Sequence, residues 1–281
     1  MEHVDVTVNG IGEVLDRLEN ILAQPYYQDK SKSNAQYWQD DQLGDDYSRK
    51  WAGAKSIPEA VQGLLDGLAD EGIRAAEDAK DFVSKVAADS PAWVTQWDVT
   101  GHTVDVGAFL SGEPECMLYD TRIEAPSEVV EVVAQVGVHA GIKPKSVRAY
   151  GRQIMRLLLS VDAMGLQSEL WVDWSVKGRD GRIMSTRIKA KSAGEYLDPG
   201  VIAYAVTSVA TLRCILLPLM HDMSESDQRN WGVGGGYGQP ANARPELYSA
   251  GAFILPRLRD NPDANRDIVT PVLDKLTGRT D

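Results

Sequence analysis

Residues 97–117 read WDVTGHTVDVGAFLSGEPECM and hold the densest run of chemically capable side chains in the chain. Asp98, His102 and Asp105 would offer one nitrogen and several oxygens to a borderline divalent ion. The same residues also suit turn chemistry. Aspartates beside glycine bond their own backbone, and Thr103 is placed to cap a short helix ending at Gly112, with Asp105 in its first turn. Turn chemistry explains nearly every polar residue here, so the stretch reads as scaffold, with no metal and no cofactor expected.

A second set is basic. Lys143, Lys145, Arg148, Arg152 and Arg156 cluster in KPKSVRAYGRQIMR, at a junction where a strand hands over to a helix. Helix starts at the carboxyl edge of an open α/β sheet are where phosphates bind. Lys177, Arg179, Arg182, Lys189 and Lys191 would extend that patch. A third stretch, RNWGVGGGYGQP, is neither a P-loop nor a dinucleotide fingerprint. Its Trp231 and Tyr237 could offer stacking faces to unpaired bases, or else pack inward. Nucleophilic catalysis finds little support: G-x-S-x-G is absent, no histidine has an evident acid–nucleophile pairing, and Cys116 and Cys214 read as core thiols.

These residues need elements to hold them. Ile11, Val14, Leu15, Leu18, Ile21 and Leu22 fall at helical spacing. SIPEAVQGLLDG begins a second helix, with Ser56 as cap, Pro58 in the first turn and Glu59 three places on. AAEDAKDFVSKVAA makes a third. EVVEVVAQVGV is a buried strand, HAGIKPKSVRAYG a loop, and RQIMRLLLSVDAMG a helix stopped by Gly165. QSELWVDWSVKG and RIMSTRIKAK form a hairpin around RDG. Asp198-Pro199 opens an apolar helix over 200–220. A strand, a crossover helix and a second strand imply parallel pairing. The fold class is therefore α/β, a mixed and partly parallel sheet covered by helices. Two parts are expected: an acidic, mostly helical segment over 1–90 with a flexible stretch near 24–50, and an α/β domain over 91–281.

Charge follows that division. The chain of 281 residues carries a net −12. Residues 1–126 hold 10 basic against 24 acidic residues, a net of −14; residues 127–221 hold 12 against 8, a net of +4; residues 222–281 hold 7 against 9, a net of −2. An acidic total discourages non-specific nucleic-acid binding by the whole molecule and leaves room for a local basic groove. Two distant cysteines exclude a zinc ribbon and suit a reducing, cytoplasmic setting. The acidic start is unlike a signal peptide, and Arg213 with its neighbouring hydroxyls makes 201–220 a core helix rather than a membrane span.

GHTVDVGAFLSGEPECM, the β-rich segment, YGRQIMRLLLSVDAMGLQSELWV and VGGGYGQP together resemble a family of uncharacterised proteins found mainly in bacteriophages. That resemblance spans roughly residues 50–255. It implies a phage origin and the host cytoplasm, without an activity. The strand–loop–helix–strand core is also similar in layout to von Willebrand factor A domains. Their DxSxS metal motif is replaced here by QVGVHAGIKPKS, so the metal site is not carried over. The reading that follows is a non-enzymatic binder of nucleic acid, single-stranded DNA in preference, engaged by the basic junction and the glycine loop. A phage enzyme acting on a nucleotide or phosphate ester is the alternative. A protein–protein adaptor, meeting a phage or host protein with its acidic face, is the third.

Overall fold

A computed structural model describes residues 3–24, 50–86, 93–101, 103–122, 128–195, 198–233 and 236–278. The flexible stretch expected near 24–50 lies almost wholly outside the described residues, as does His102. The class is α/β, as the pattern predicts.

The chain opens with strand β1 (Val4–Val8) and helix α1 (Ile11–Leu22), followed by α2 (Ile57–Asp66) and α3 (Ala69–Val86). A small antiparallel sheet comes next: β2 (Trp93–Asp98), β3 (Thr103–Val104) and β4 (Met117–Arg122), with the one-turn helix α4 (Val106–Leu110) between β3 and β4. The main sheet uses β5 (Val129–Gln135), β6 (Gln167–Lys177), β7 (Ile183–Lys191), β8 (Gln239–Pro240) and β9 (Phe253–Ile254). Its helices are α5 (Pro144–Ala163), α6 (Pro199–Thr207), α7 (Glu225–Trp231) and α8 (Thr270–Thr277).

Sheet order is β1-β7-β6-β5-β9, with β8 pairing the end of β6. β5 and β6 run parallel, as their connection through α5 requires. β6 and β7 are the expected hairpin, and β9 adds parallel to the far side of β5. The strand before α1 was not expected. β1 is only five residues long and pairs parallel with β7, some 180 residues away in sequence, so no local turn signals it. It places the N-terminal segment in the same sheet as the rest. Val14, Leu18, Ile57 and Leu64 join Val132, Leu157, Val172 and Ile188 in one core.

Alternation along β6 divides the sheet faces. Leu170, Val172, Trp174 and Val176 enter that core, and Glu169, Trp171, Asp173 and Ser175 lie on the other face. The polar face is covered by the C-terminal segment rather than by helices. There the Tyr248 hydroxyl donates to Asp173 Oδ2 at 2.6 Å, Arg187 Nε donates to Thr7 Oγ1 at 2.9 Å, and Arg187 also reaches the Leu247 carbonyl.

Two helices differ from their sequence expectation. α5 begins at Pro144, so Lys145 and Arg148 are helical rather than in a loop. Proline at the first helical position, which lacks an N–H to satisfy, explains the earlier start. The apolar stretch after Asp198 is not one helix. α6 is capped by Asp198 Oδ1, which accepts from Gly200 N at 2.7 Å, but Ser208 is extended and ends it. A π-helical turn (Thr211–Leu216) and a 3-10 turn (Leu217–Asp222) follow at an angle of 83°. Thr211 Oγ1 donates to the Tyr204 carbonyl at 3.1 Å across the bend, and Pro218, which supplies no backbone donor, falls where the π-helical turn gives way to the 3-10 turn. Close contact between α5 and α6 depends on Gly151, where a Cβ would lie 2.5 Å from the Val206 carbonyl oxygen. No single helix among the described residues is long and apolar enough to cross a membrane, and the residues of the bent pair are largely buried in the core.

Candidate ligand crevice at the carboxyl edge of β5

β5 lies between two parallel neighbours, β6 and β9. Through α5 it leads to β6 on one side, and β9 closes the other. In open α/β sheets the crevice outside such strand ends is where ligands sit. The loop after β5 and the loop after β9 meet there. Leu255 N donates to the Val133 carbonyl at 3.0 Å, Gln135 Nε2 donates to the Leu255 carbonyl at 2.6 Å, and the Tyr150 hydroxyl reaches the Pro256 carbonyl.

Between those loops is an open concavity of about 480 Å³ lined by Lys143, Lys145, Ser146, Asn261 and Asn265 among others. Asn261 organises it. Its Oδ1 accepts from Lys143 N at 2.7 Å and Ser146 Oγ at 2.9 Å, and its Nδ2 donates to the Gly141 carbonyl at 3.3 Å. Lys143, Lys145 and Arg148 are exposed and form no ion pair among the described residues. The nearby carboxylates are occupied with backbone: Asp263 Oδ2 accepts from Arg259 N at 3.1 Å, and Asp260 Oδ1 from Asp263 N at 3.0 Å. The Lys143 and Lys145 ammonium groups on the rim offer positive charge to an anion, with Asp260 and Asp263 held by backbone rather than by these lysines.

A second cavity, about 260 Å³, lies against the same loop. It is lined by Trp51, His139, Trp174, Arg213 and Tyr237, with Val138 and Leu217. The Arg213 guanidinium sits 5.4 Å from the Trp51 ring centre, a cation–π distance, and Trp51 Nε1 donates to the Ile142 carbonyl at 2.8 Å. His139 Nδ1 accepts from Gly141 N at 3.0 Å, while Nε2 lies 3.1 Å from the Arg259 carbonyl. One nitrogen must accept and the other donate, so the neutral ring protonated at Nε2 satisfies both. Beside the cavity, His221 Nε2 meets the Tyr237 hydroxyl at 3.1 Å, and burial pulls its pKa down to about 4.

The basic cluster is divided by the structure. Arg152 is held in a fork by Glu71 of α3, Nε to Oε2 at 2.5 Å and Nη2 to Oε1 at 2.8 Å. That hydrogen bond holds the Glu71 carboxyl below its ordinary pKa. Arg156 is half-buried near Asp267, whose carboxyl is held below its ordinary pKa against burial by hydrogen bonds from Thr270 and Val269 first, and by Arg156 in addition. The proposed extension of the patch is likewise committed to acids: Arg182 to Asp180 and Asp227, Lys189 to Glu169, and Lys191 to Asp162. Lys177 and Arg179 are exposed at the hairpin turn.

The glycine loop is corrected as a stacking platform. Trp231 is 1% exposed, donates Nε1 to the Val176 carbonyl at 3.1 Å, and has the Arg182 guanidinium 5.0 Å over its ring. No base can reach it. The large apolar ring ends α7, where burial against β6 outweighs exposure in the loop. Tyr237 is 3% exposed, with a left-handed backbone at φ 54°, and contributes wall to the cavity rather than an open face.

The aspartates of the opening stretch serve their own backbone. Asp98 Oδ1 accepts from Val99 N at 2.5 Å, and Asp105 Oδ1 accepts from Gly107 N at 2.9 Å and Ala108 N at 3.1 Å. Asp105, not Thr103, is the cap of α4, and Thr103 lies in β3; an aspartate cap has a charge as well as a lone pair to offer the helix start. Among the described residues no cluster of histidine, cysteine and carboxylate could hold a metal. Cys214 is buried, which raises its thiol to about 12, whereas Cys116 is half-buried and not a core thiol.

Trp51, His139, Arg213, Asn261 and Asn265 are not marked as site residues by the sequence. Asn261 and Asn265 sit in a turn-rich DNPDAN run, and the others come from three separate segments. Only the fold brings them to one strand end. No curated protein and no solved structure matches the chain. Residues 2–279 match a family described as a domain of unknown function, and the chain belongs to that family, DUF7192.

Proposed function

We propose that this protein binds nucleic acid, single-stranded DNA in preference to duplex, with the sugar–phosphate chain across Lys143, Lys145 and Arg148. The observation that carries the reading is the open crevice between the carboxyl ends of β5 and β9, rimmed by Lys143 and Lys145, which form no ion pair among the described residues. The aromatic cavity against the same loop supports the preference for single strands. An unpaired base could enter beside Trp51 and Arg213, whereas a base in a duplex is already stacked. A phage origin, action in the host cytoplasm and a von Willebrand factor A-like core without its metal motif belong to the same reading.

The test is fluorescence anisotropy with labelled oligo-dT and with duplex of the same length, across a salt series. Lys143→Glu/Lys145→Glu should abolish single-strand binding at low salt without lowering the melting temperature. Unchanged affinity in that variant, or no binding by the wild type, would reject the reading. The aromatic walls of the second cavity, with the Arg213 guanidinium among them, favour a second reading, an enzyme or receptor for a small nucleotide. A mononucleotide that raises the melting temperature when oligo-dT does not would select it.

A further inference from the structure

Residues 98–116 carry an apolar surface that neither the core nor the crevice uses. Val99, Val104, Val106, Phe109 and Leu110 are 43 to 78% exposed. Val106, Phe109 and Leu110, at i, i+3 and i+4, share one face of α4. Strand pairing aligns Asp98, Met117 and Val104 in one row across the small sheet. Val99, just past β2, and Val104 therefore fall at the same end as α4. Among the described residues, none of 98–118 joins the main core.

So short a helix does not form by propensity. It is held by the Asp105 cap, by Asp105 N donating to the Cys116 carbonyl at 2.8 Å, and by Ser111 Oγ donating to the Gly107 carbonyl at 2.9 Å. Polar residues fix a helix whose apolar side chains face water, and such a patch marks an interaction surface.

Charge says which partner fits. No lysine or arginine occurs between Lys85 and Arg122, while Asp98, Asp105, Glu113 and Glu115 flank the apolar residues. A second copy would set these carboxylates against their equivalents, and an anionic lipid surface would repel them. We infer that this face docks a partner protein through an amphipathic segment whose apolar side chains are flanked by lysine or arginine. The inference is independent of nucleic-acid binding.

The probe is a fluorescein-labelled amphipathic helix of leucine and lysine, compared by anisotropy with its leucine–glutamate counterpart. The full chain should bind the lysine peptide and not the glutamate one. Phe109→Ser/Leu110→Ser should weaken binding at least about tenfold, and Glu113→Gln/Glu115→Gln should flatten its salt dependence. Both pairs are exposed, so melting temperatures should hold. If the serine pair melts early, Leu110→Ser alone should still weaken binding. Absent binding of the lysine peptide, equal binding of both peptides, or equal binding by the serine variants would overturn the inference. So would a wild-type dimer in sedimentation, or flotation with phosphatidylserine vesicles, that the serine pair abolishes.

Discussion

The hydroxyl of Tyr248 donates to Oδ2 of Asp173 at 2.6 Å, fastening the C-terminal segment to the middle of the central strand β6. Burial raises the Asp173 carboxyl above its ordinary range, and the Tyr248 bond and Arg187 and Arg244 only partly offset it. A carboxyl with a raised folded pKa contributes stability that is complete below its unfolded value and is lost as pH rises through the folded one. Asp173→Asn should therefore gain stability relative to wild type as pH rises from about 4 toward 7, in urea melts across that range. Tyr248→Phe removes the donor and should cost about 1–3 kcal/mol at neutral pH. Parallel pH profiles for wild type and Asp173→Asn would reject this.

His221 should act in the opposite sense. Its folded pKa of about 4 lies below the free value, so its contribution is present at neutral pH and lost as pH falls toward 4. The unfolded chain takes up the proton first. The loss over that interval is on the order of 3 kcal/mol. His221→Gln, neutral throughout, should melt with a flatter acid limb than wild type, and an unchanged limb would contradict the assignment.

Trp231→Ala should be a stability variant. Removing a buried indole and its bond to the Val176 carbonyl should cost about 3–5 kcal/mol. Chemical denaturation measures the loss. Any oligo-dT binding, assayed where the variant is still folded, should keep its wild-type affinity.

Arg152 and Lys145 lie on the same helix and should part company. Arg152→Ala breaks the fork to Glu71, a half-exposed pair, and should cost about 1 kcal/mol or less. It should leave the slope of log affinity against log salt unchanged. Lys145→Ala should leave stability alone and reduce that slope by about 1. The reverse assignment of the two effects would show that Arg152, not Lys145, meets phosphate.

Local signals in the sequence were enough for the α/β class, the β6–β7 hairpin, the parallel β5–α5–β6 unit and the Ser56 and Asp198 caps. Each rests on side-chain period, a capping residue or a crossover length, properties of consecutive residues. The fate of individual cations and aromatics was not local. Arg152 and Arg148 stand four residues apart on one helix and both lie near Glu71 of α3, yet only Arg152 bonds it in a fork. From local sequence Trp231 suits a stacking face and a core position equally; β6 lying beneath it, with the Val176 carbonyl accepting from its Nε1, makes it core. β1 needed a partner far along the chain, and the crevice needed two loops from β5 and β9 to converge. The sequence determined the elements with strong local signals and where charge accumulates. Which charges stay unpaired, and which rings stay dry, was decided by packing between segments distant in the chain, where one neighbouring carboxylate or one buried face outweighs local preference.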